Sequence, residues 1–193
     1  MEILGKIFGS SARVKVMRLF LFNRGKSFEN KEVLKRCRIT QDVGRRELNL
    51  LASVGFIKKR GQVLSFNPFF KYGAEFEDLL LGSDTMSHEA ILENFKKVGR
   101  IKLFILSGVF IKNRDSRADL LIVGDRLKRG KIEEAIRKIE AELGGELLYV
   151  VFDTKEFLYR LDMYDKLVRD ILDFPHEVIL QAKELSTQLL KKV

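Results

Sequence analysis

The chain has 193 residues, of which 46% are hydrophobic, and carries 36 Lys and Arg against 27 Asp and Glu, for a formal net charge of +9. This composition is typical of a globular protein, and the length suffices for one large or two small domains. A single cysteine excludes an internal disulfide, no Cys/His cluster provides a structural zinc site, and no apolar run reaches the roughly 18 residues of a membrane span. Residues 1–10 do not resemble a secretory leader. We therefore expect a cytoplasmic protein without a membrane partner.

The excess positive charge is confined to the first third of the chain. Residues 1–72 contain 16 Lys and Arg against 5 Asp and Glu, whereas residues 73–193 contain 20 against 22. A basic domain joined to a nearly neutral one favours a polyanionic partner for the basic domain. A basic surface that is merely solvated is the alternative, and charge alone does not choose between the two.

The periodicity of apolar residues predicts three helices near the N-terminus. The first follows Ser10, the second is short and starts near Asn30, and the third starts after Thr40 and stops at Gly55. The third helix has two distinct sides. We expect one side to be buried, with the apolar residues Val43, Leu48, Leu50, Leu51 and Val54. We expect the other side to be exposed, with Asp42, Arg45, Arg46, Asn49 and Ser53.

Two short strands over residues 56–60 and 63–66 follow, joined at Gly61-Gln62 into a hairpin with a basic edge. Three helices followed by such a hairpin predict a winged helix. A further helix through Phe76 leads to a boundary at residues 82–84. We therefore predict a winged-helix domain over residues 1–84 and a second domain over residues 85–193.

Strands and helices alternate beyond residue 85. Continuous apolar runs at 103–106, 120–123 and 147–152 predict three strands, the first two covered on both faces, and helical periodicity predicts helices at 88–98, 131–143, 154–161 and 164–172. After Pro175, one stripe at helical spacing contains Val178, Ala182, Leu185, Leu189 and Val193 and packs on its own domain or on a second subunit. The predicted fold class is therefore α+β, a winged helix-turn-helix followed by an α/β domain with a mixed sheet.

The polar side of the third helix carries the groups that read base edges in the major groove of DNA. An arginine fork binds guanine O6 and N7, and an amide binds adenine N6 and N7. The basic hairpin tip and the backbone amides at the start of the first helix are expected to contact flanking phosphates. Fifteen phenylalanines without a tryptophan are expected in the core and not on a stacking surface. The predicted contacts to double-stranded DNA are Gln41, Arg45, Arg46, Asn49, Lys58, Lys59, Arg60 and Ser11.

The end of the third helix has a recurrent pattern: Leu48 and Leu51, then Val54-Gly55-Phe56-Ile57, with Val33-Leu34 in the preceding helix. Through these positions the span 27–68 resembles the winged-helix transcriptional regulators of the arsenical-repressor type. Members of that group usually act as homodimers on pseudo-palindromic operators. The resemblance therefore implies a sequence-specific transcriptional regulator that binds double-stranded DNA as a homodimer.

A second pattern lies in the C-terminal domain, where LSGVF at 106–110 is followed by SRADLLIVGD at 116–125. The span 101–180 resembles the minimal nucleotidyltransferase domain of the polymerase-beta superfamily. In that family one strand ends in Gly-Ser and the next opens with Ser-Asp-hydrophobic-Asp. The two aspartates hold the divalent ions that nucleotidyl transfer requires.

This chain departs from the family pattern at three positions. Arg117 replaces the first aspartate, Val109 replaces the serine, and Leu148 stands where a further carboxylate is sought. Because a guanidinium in the cation site repels the metal, we expect a non-catalytic domain with no metal and no cofactor. Its expected role is dimerisation, or sensing of a nucleotide or another anion at a vestigial site formed by Gly108, Arg117 and Asp119.

Two other functions remain open at this point. One is an active metal-dependent nucleotidyltransferase that modifies a protein, a small molecule or RNA. The other is a binding module for RNA or a partner protein, for which RNA would favour single-stranded loops.

Overall fold

A computed structural model describes residues 3–82, 86–113 and 115–185 and has a mixed α+β architecture with two separate sheets. The chain divides into two compact units, one formed by Met1–Ser87 with Ile136–Glu146 and the other by His88–Ala135 with Leu147–Val193. The predicted domains had their boundary after residue 84 and kept 136–146 with the C-terminal part. Apolar periodicity shows that a helix buries one face, but it does not identify the core that receives that face.

The first unit combines short helices with a three-stranded antiparallel sheet. The strand order is β1-β3-β2. The elements in chain order are α1 (Ile3–Ile7), α2 (Ser11–Phe22), β1 (Ser27–Glu29), α3 (Asn30–Cys37), α4 (Gln41–Ser53), β2 (Ile57–Arg60), β3 (Val63–Phe66) and α5 (Gly73–Leu81). Neither α1 nor β1 is long enough to show a periodic pattern, so neither was predicted.

The second unit is built on a mixed four-stranded sheet of order β6-β5-β4-β7, in which only the β5–β6 pair is parallel. A short 3-10 helix (Gly108–Ile111) follows the first of its strands. The other elements are α6 (His88–Phe95), β4 (Arg100–Leu106), β5 (Leu120–Asp125), α7 (Arg129–Leu143, whose residues from Ile136 onward belong to the first unit), β6 (Tyr149–Asp153), α8 (Thr154–Asp162), α9 (Lys166–Asp173) and β7 (Glu177–Gln181). The predicted burial of the β4 and β5 apolar runs is confirmed.

The segment after Pro175 corrects the sequence analysis. Residues Glu177–Gln181 form an edge strand that pairs antiparallel with β4, and not the start of a helical stripe. Without β7, the backbone of β4 would have an unpaired edge, and the short run Val178-Ile179-Leu180 suits a strand. Leu185 is buried as expected, while Leu189 and Val193 lie outside the described residues.

The core of the first unit lies between the helices and one face of the sheet. Ser10 caps α2 as predicted, because its Oγ accepts a hydrogen bond from the Arg13 backbone N–H at 3.2 Å. Cys37 is fully buried, and burial raises the pKa of its thiol to about 12. Other core members are Val14, Val16, Leu19, Phe20, Phe28, Val33, Leu48, Leu51, Leu64 and Phe66.

This core also buries a charge that the apolar pattern did not reveal. Arg18 has no exposed surface; its Nε donates to the Leu80 carbonyl at 2.9 Å and its Nη1 donates to the Glu142 carbonyl at 3.2 Å. The two carbonyls belong to the last turns of α5 and α7, where helix carbonyls lack a partner within the helix. Arg18 therefore satisfies two helix ends and attaches the segment 136–146 to the first unit.

Candidate nucleic-acid interface

Helix α4 presents a row of free polar side chains. Gln41, Arg45 and Asn49 are spaced by four residues, so they follow one side of the helix, and all three are exposed. None of the three side chains has a hydrogen bond or ion pair with another residue in the described part of the chain. Their donors and acceptors are therefore available to an external partner.

The opposite side of α4 is narrower than predicted. Leu48 and Leu51 are buried, but Leu50 is 38% exposed and Val54 is 56% exposed, so their assignment to the buried side was wrong. Leu50 follows Leu48 by two residues and points about 200° away around the helix axis. Leu50 therefore lies outside the buried side of α4, and Val54, directly after the helix, is exposed as well.

Two residues hold α4 against its neighbours. Gly44 is buried, and a Cβ at this position would lie 1.9 Å from Leu34 Cδ2 on α3. Any larger residue would displace the Leu34 side chain. Gly44 therefore allows α3 and α4 to pack closely through Leu34.

Glu47 is the second of these residues, and its carboxylate is fully buried on the core side of α4. Its Oε2 accepts from Arg13 Nε at 2.8 Å, and its Oε1 accepts from Arg46 Nη2 at 3.1 Å. Burial favours a higher pKa for the Glu47 carboxyl, but hydrogen bonds from Arg13, Ser10 and Arg46 outweigh burial and hold that pKa below its usual value. Arg46 remains 70% exposed, so it is oriented by Glu47 while still facing solvent. An isolated glutamate in a helix gives no sequence signal of this role.

The hairpin residues Lys58, Lys59 and Arg60, which are predicted to contact flanking phosphates, do not share one face of the sheet. Lys59 is paired with Leu64 and through it with Phe28, so it lies on the core-facing side of the sheet. Lys58 and Arg60 lie on the outer face. Successive strand residues point to opposite faces, so the three basic residues are divided between the two faces of the sheet.

The predicted contact at the start of α2 is only partly accessible. Ser11 is exposed, whereas the neighbouring Ala12 is buried. A Cβ at Gly5 in α1 would lie 3.3 Å from the Ser11 Cα, so α1 packs beside this helix terminus. The unpredicted helix α1 therefore covers part of the surface that was expected to face phosphate.

In the second unit, Asp119 bonds to the backbone. The carboxylate is only 7% exposed; its Oδ1 accepts from the Val109 N–H at 2.8 Å and its Oδ2 from the Leu148 N–H at 2.8 Å. Gly108, with a φ of +55°, permits this contact, because a Cβ there would lie 2.0 Å from Asp119 Oδ1. Asp119 thus ties the loop after β4 to the segment that precedes β6.

Arg117, the other polar member of the predicted vestigial site, pairs with a different residue. Its Nε lies 2.6 Å from an oxygen of Asp170 on α9. Gly108 and Asp119 are therefore in contact, whereas Arg117 is engaged by Asp170. Within the described residues, no group of three His, Cys, Asp or Glu side chains is arranged to hold a metal ion.

No protein-family model, no curated protein and no solved structure matches the chain. Helices that are both long and apolar enough to cross a membrane are absent from the described residues. The geometry of the two units is therefore the basis of the functional argument.

Proposed function

We propose that the first unit binds double-stranded DNA in a sequence-specific manner, with α4 as the recognition helix. The observation that carries this proposal is the exposed, unpartnered row of Gln41, Arg45 and Asn49 on a helix that is anchored from behind by Gly44 and Glu47. A recognition helix needs both features, because base readout requires free donors and acceptors in a fixed direction. Amide and guanidinium groups are the side chains that read adenine and guanine edges.

Other features of the first unit support a winged-helix mode of binding. Helices α2, α3 and α4 followed by the β2–β3 hairpin, with β1 paired to β3, have the element order of that fold. Lys59 and Arg46 are the basic residues best suited to phosphate contacts beside the recognition helix. The residue resemblance favours a transcriptional regulator that acts as a homodimer on a two-fold symmetric site.

For the second unit we infer a non-catalytic domain of nucleotidyltransferase type that serves dimerisation. The antiparallel β4–β5 pair and the parallel β5–β6 pair are compatible with that fold. Asp119 accepts two backbone N–H bonds and Arg117 is paired with Asp170, so neither is poised to hold a metal or a phosphate. These contacts favour a structural role over anion sensing at Gly108, Arg117 and Asp119.

Selection of bound fragments from a random duplex pool tests the DNA proposal directly. We expect an enriched motif, and Arg45→Ala should then reduce affinity for that motif by about 1–3 kcal/mol with little effect on random duplex. Lys59→Ala should weaken binding to both duplexes alike, because a phosphate contact carries no sequence information. Arg46→Ala should reduce affinity for the enriched motif less than Arg45→Ala does, because the Arg46 guanidinium already donates hydrogen bonds to Glu47.

Absence of an enriched motif, or an equal loss on both duplexes for Arg45→Ala, would contradict sequence-specific readout. Affinity should fall by about 0.9 log unit per log unit of salt for each phosphate contacted. The competing enzymatic function is tested by incubation with labelled nucleoside triphosphates and Mg²⁺ or Mn²⁺. If the chain shows turnover and Asp119→Ala abolishes it, the second unit is an enzyme and Asp119 has a catalytic role.

A further inference from the structure

The outer face of the three-stranded sheet carries a basic and hydroxylated surface that the duplex proposal does not use. Two rows of residues in register cross this face. Ser27, Ser65 and Lys58 form one row, and Glu29, Val63 and Arg60 form the other. The serine hydroxyls, and the charges of Lys58 and Arg60, have no hydrogen bond or ion pair within the described residues.

An exposed aromatic ring stands beside this face. Phe69 is 84% exposed, although the sequence analysis assigned phenylalanines to the core. Its backbone N–H donates to Asn67 Oδ1 at 3.2 Å, and Asn67 Nδ2 donates to the Gly55 carbonyl at 2.7 Å, so the turn that carries Phe69 is fixed. Lys58 Nζ lies 4.8 Å from the centre of the ring. The structure thus presents a large apolar ring to solvent in a defined position.

Phe69 and the outer sheet face together form a groove of about 360 Å³, which we call the sheet groove. Its lining includes Lys58, Arg60, Ser27, Ser65 and Phe69. Lys58 and Arg60 are two residues apart on one strand, about 6.8 Å along it. This separation is close to that of adjacent phosphates on one nucleic-acid strand.

We propose that the sheet groove binds single-stranded RNA, with one base stacked on Phe69 and adjacent phosphates at Lys58 and Arg60. A basic groove with an aromatic ring is the common mode of single-strand binding, since every base has a face that can stack. The hydroxyls of Ser27 and Ser65 favour RNA over DNA, because the ribose 2′-hydroxyl can donate to and accept from such groups. The proposal is independent of duplex recognition by α4.

A tryptophan at position 69 tests this proposal with a direct optical signal. The chain has no tryptophan, so Phe69→Trp introduces a single indole on an exposed site. We expect titration of this variant with a single-stranded oligouridylate to quench its fluorescence, because the base stacks on the indole. Titration with a fully paired duplex of equal length should leave the fluorescence unchanged.

Affinity measurements by fluorescence anisotropy on the full chain complete the test. Phe69→Ala should lower affinity for the single-stranded RNA by about 5- to 150-fold. Phe69→Tyr should retain the affinity, and Phe69→Leu should not, because stacking requires a ring and not merely apolar area. Tyr159→Ala, which removes an exposed ring on α8 in the second unit, should leave single-strand affinity unchanged.

Several outcomes would overturn the proposal. Equal affinity of Phe69→Ala and the parent chain for single-stranded RNA would contradict the stacking contact. Equal affinity of the parent chain for single-stranded DNA and single-stranded RNA would contradict the assignment to RNA. Binding of uridine monophosphate as tight as that of the oligomer would assign the groove to a free nucleotide. Equal displacement by polyglutamate would reduce the interaction to charge alone. None of these outcomes bears on duplex selection, so the two proposals fail separately.

Discussion

The two units use the same kinds of polar residue in opposite ways. On α4, Arg45 and Asn49 point to solvent and have no partner in the described part of the chain, whereas in the second unit Arg117 and Asp119 are engaged by Asp170 and by two backbone amides. Judged by residue type alone, the polar residues of α4 and those of the second unit are equally good candidates for a binding site. Availability of the polar atoms, and not their identity, separates a surface that can bind a ligand from one that supports the fold.

Removal of a polar group that the fold uses should cost far more stability than removal of one that faces solvent. Arg18→Met should lower the free energy of unfolding by about 2–4 kcal/mol, because the Leu80 and Glu142 carbonyls lose their buried donor. Denaturant unfolding followed by circular dichroism measures the change. Arg45→Met, the same substitution at an exposed site, should change stability by less than about 0.5 kcal/mol. Similar losses for the two variants would refute the distinction.

Asp119 provides the corresponding test in the second unit. Asp119→Ala should cost about 1–3 kcal/mol, because it leaves the Val109 and Leu148 N–H groups without their acceptor. Hydrogen exchange should show selective loss of protection at these two amides. Arg117→Ala serves as the control, since its exposed ion pair should contribute at most about 1 kcal/mol. Unchanged protection in Asp119→Ala would mean that the carboxylate is free for another role.

Glu47 gives the smallest effect and adds a dependence on pH. Glu47→Gln should destabilise the chain by about 1–2 kcal/mol at neutral pH, because a neutral amide loses the charge-assisted bonds to Arg13 and Arg46. Since the folded-state pKa of Glu47 lies below the usual 4.5, this contribution is fully present above pH 4.5 and disappears as the pH falls through the folded-state pKa. Unfolding curves of both chains from pH 7 down to pH 3 measure it. A stability difference that grows on acidification would contradict the assigned sign.

Much of the local structure could be predicted from periodicity. The cap of α2 at Ser10, the exposed side of α4 and the buried strands β4 and β5 all follow from patterns that extend over two or more turns or a full strand. The failures involve short or context-dependent segments. The three residues of β1 and the five of β7 become strands because a neighbouring strand offers an unpaired edge, and an edge is not visible in the segment itself.

The residues of the candidate interface were likewise predicted only in part. Residue types and helical spacing were enough to select Gln41, Arg45 and Asn49. They were not enough to find Glu47 behind the recognition helix, to separate Lys59 from Lys58 and Arg60, or to find Phe69 outside the core. Each of these depends on which side of an element faces the core and on residues far away in sequence.

The mixed α+β class, the basic first third of the chain and the polar side of α4 follow from the amino-acid sequence alone, because charge and periodicity are local properties. Which of these polar groups are free depends on the folded structure. Four polar side chains each have a partner 29 to 124 residues away in the sequence: Arg18, Glu47, Asp119 and Arg117. Polar contacts of this kind form only when the chain has folded. A group that already has a partner inside the fold is not available to bind another molecule.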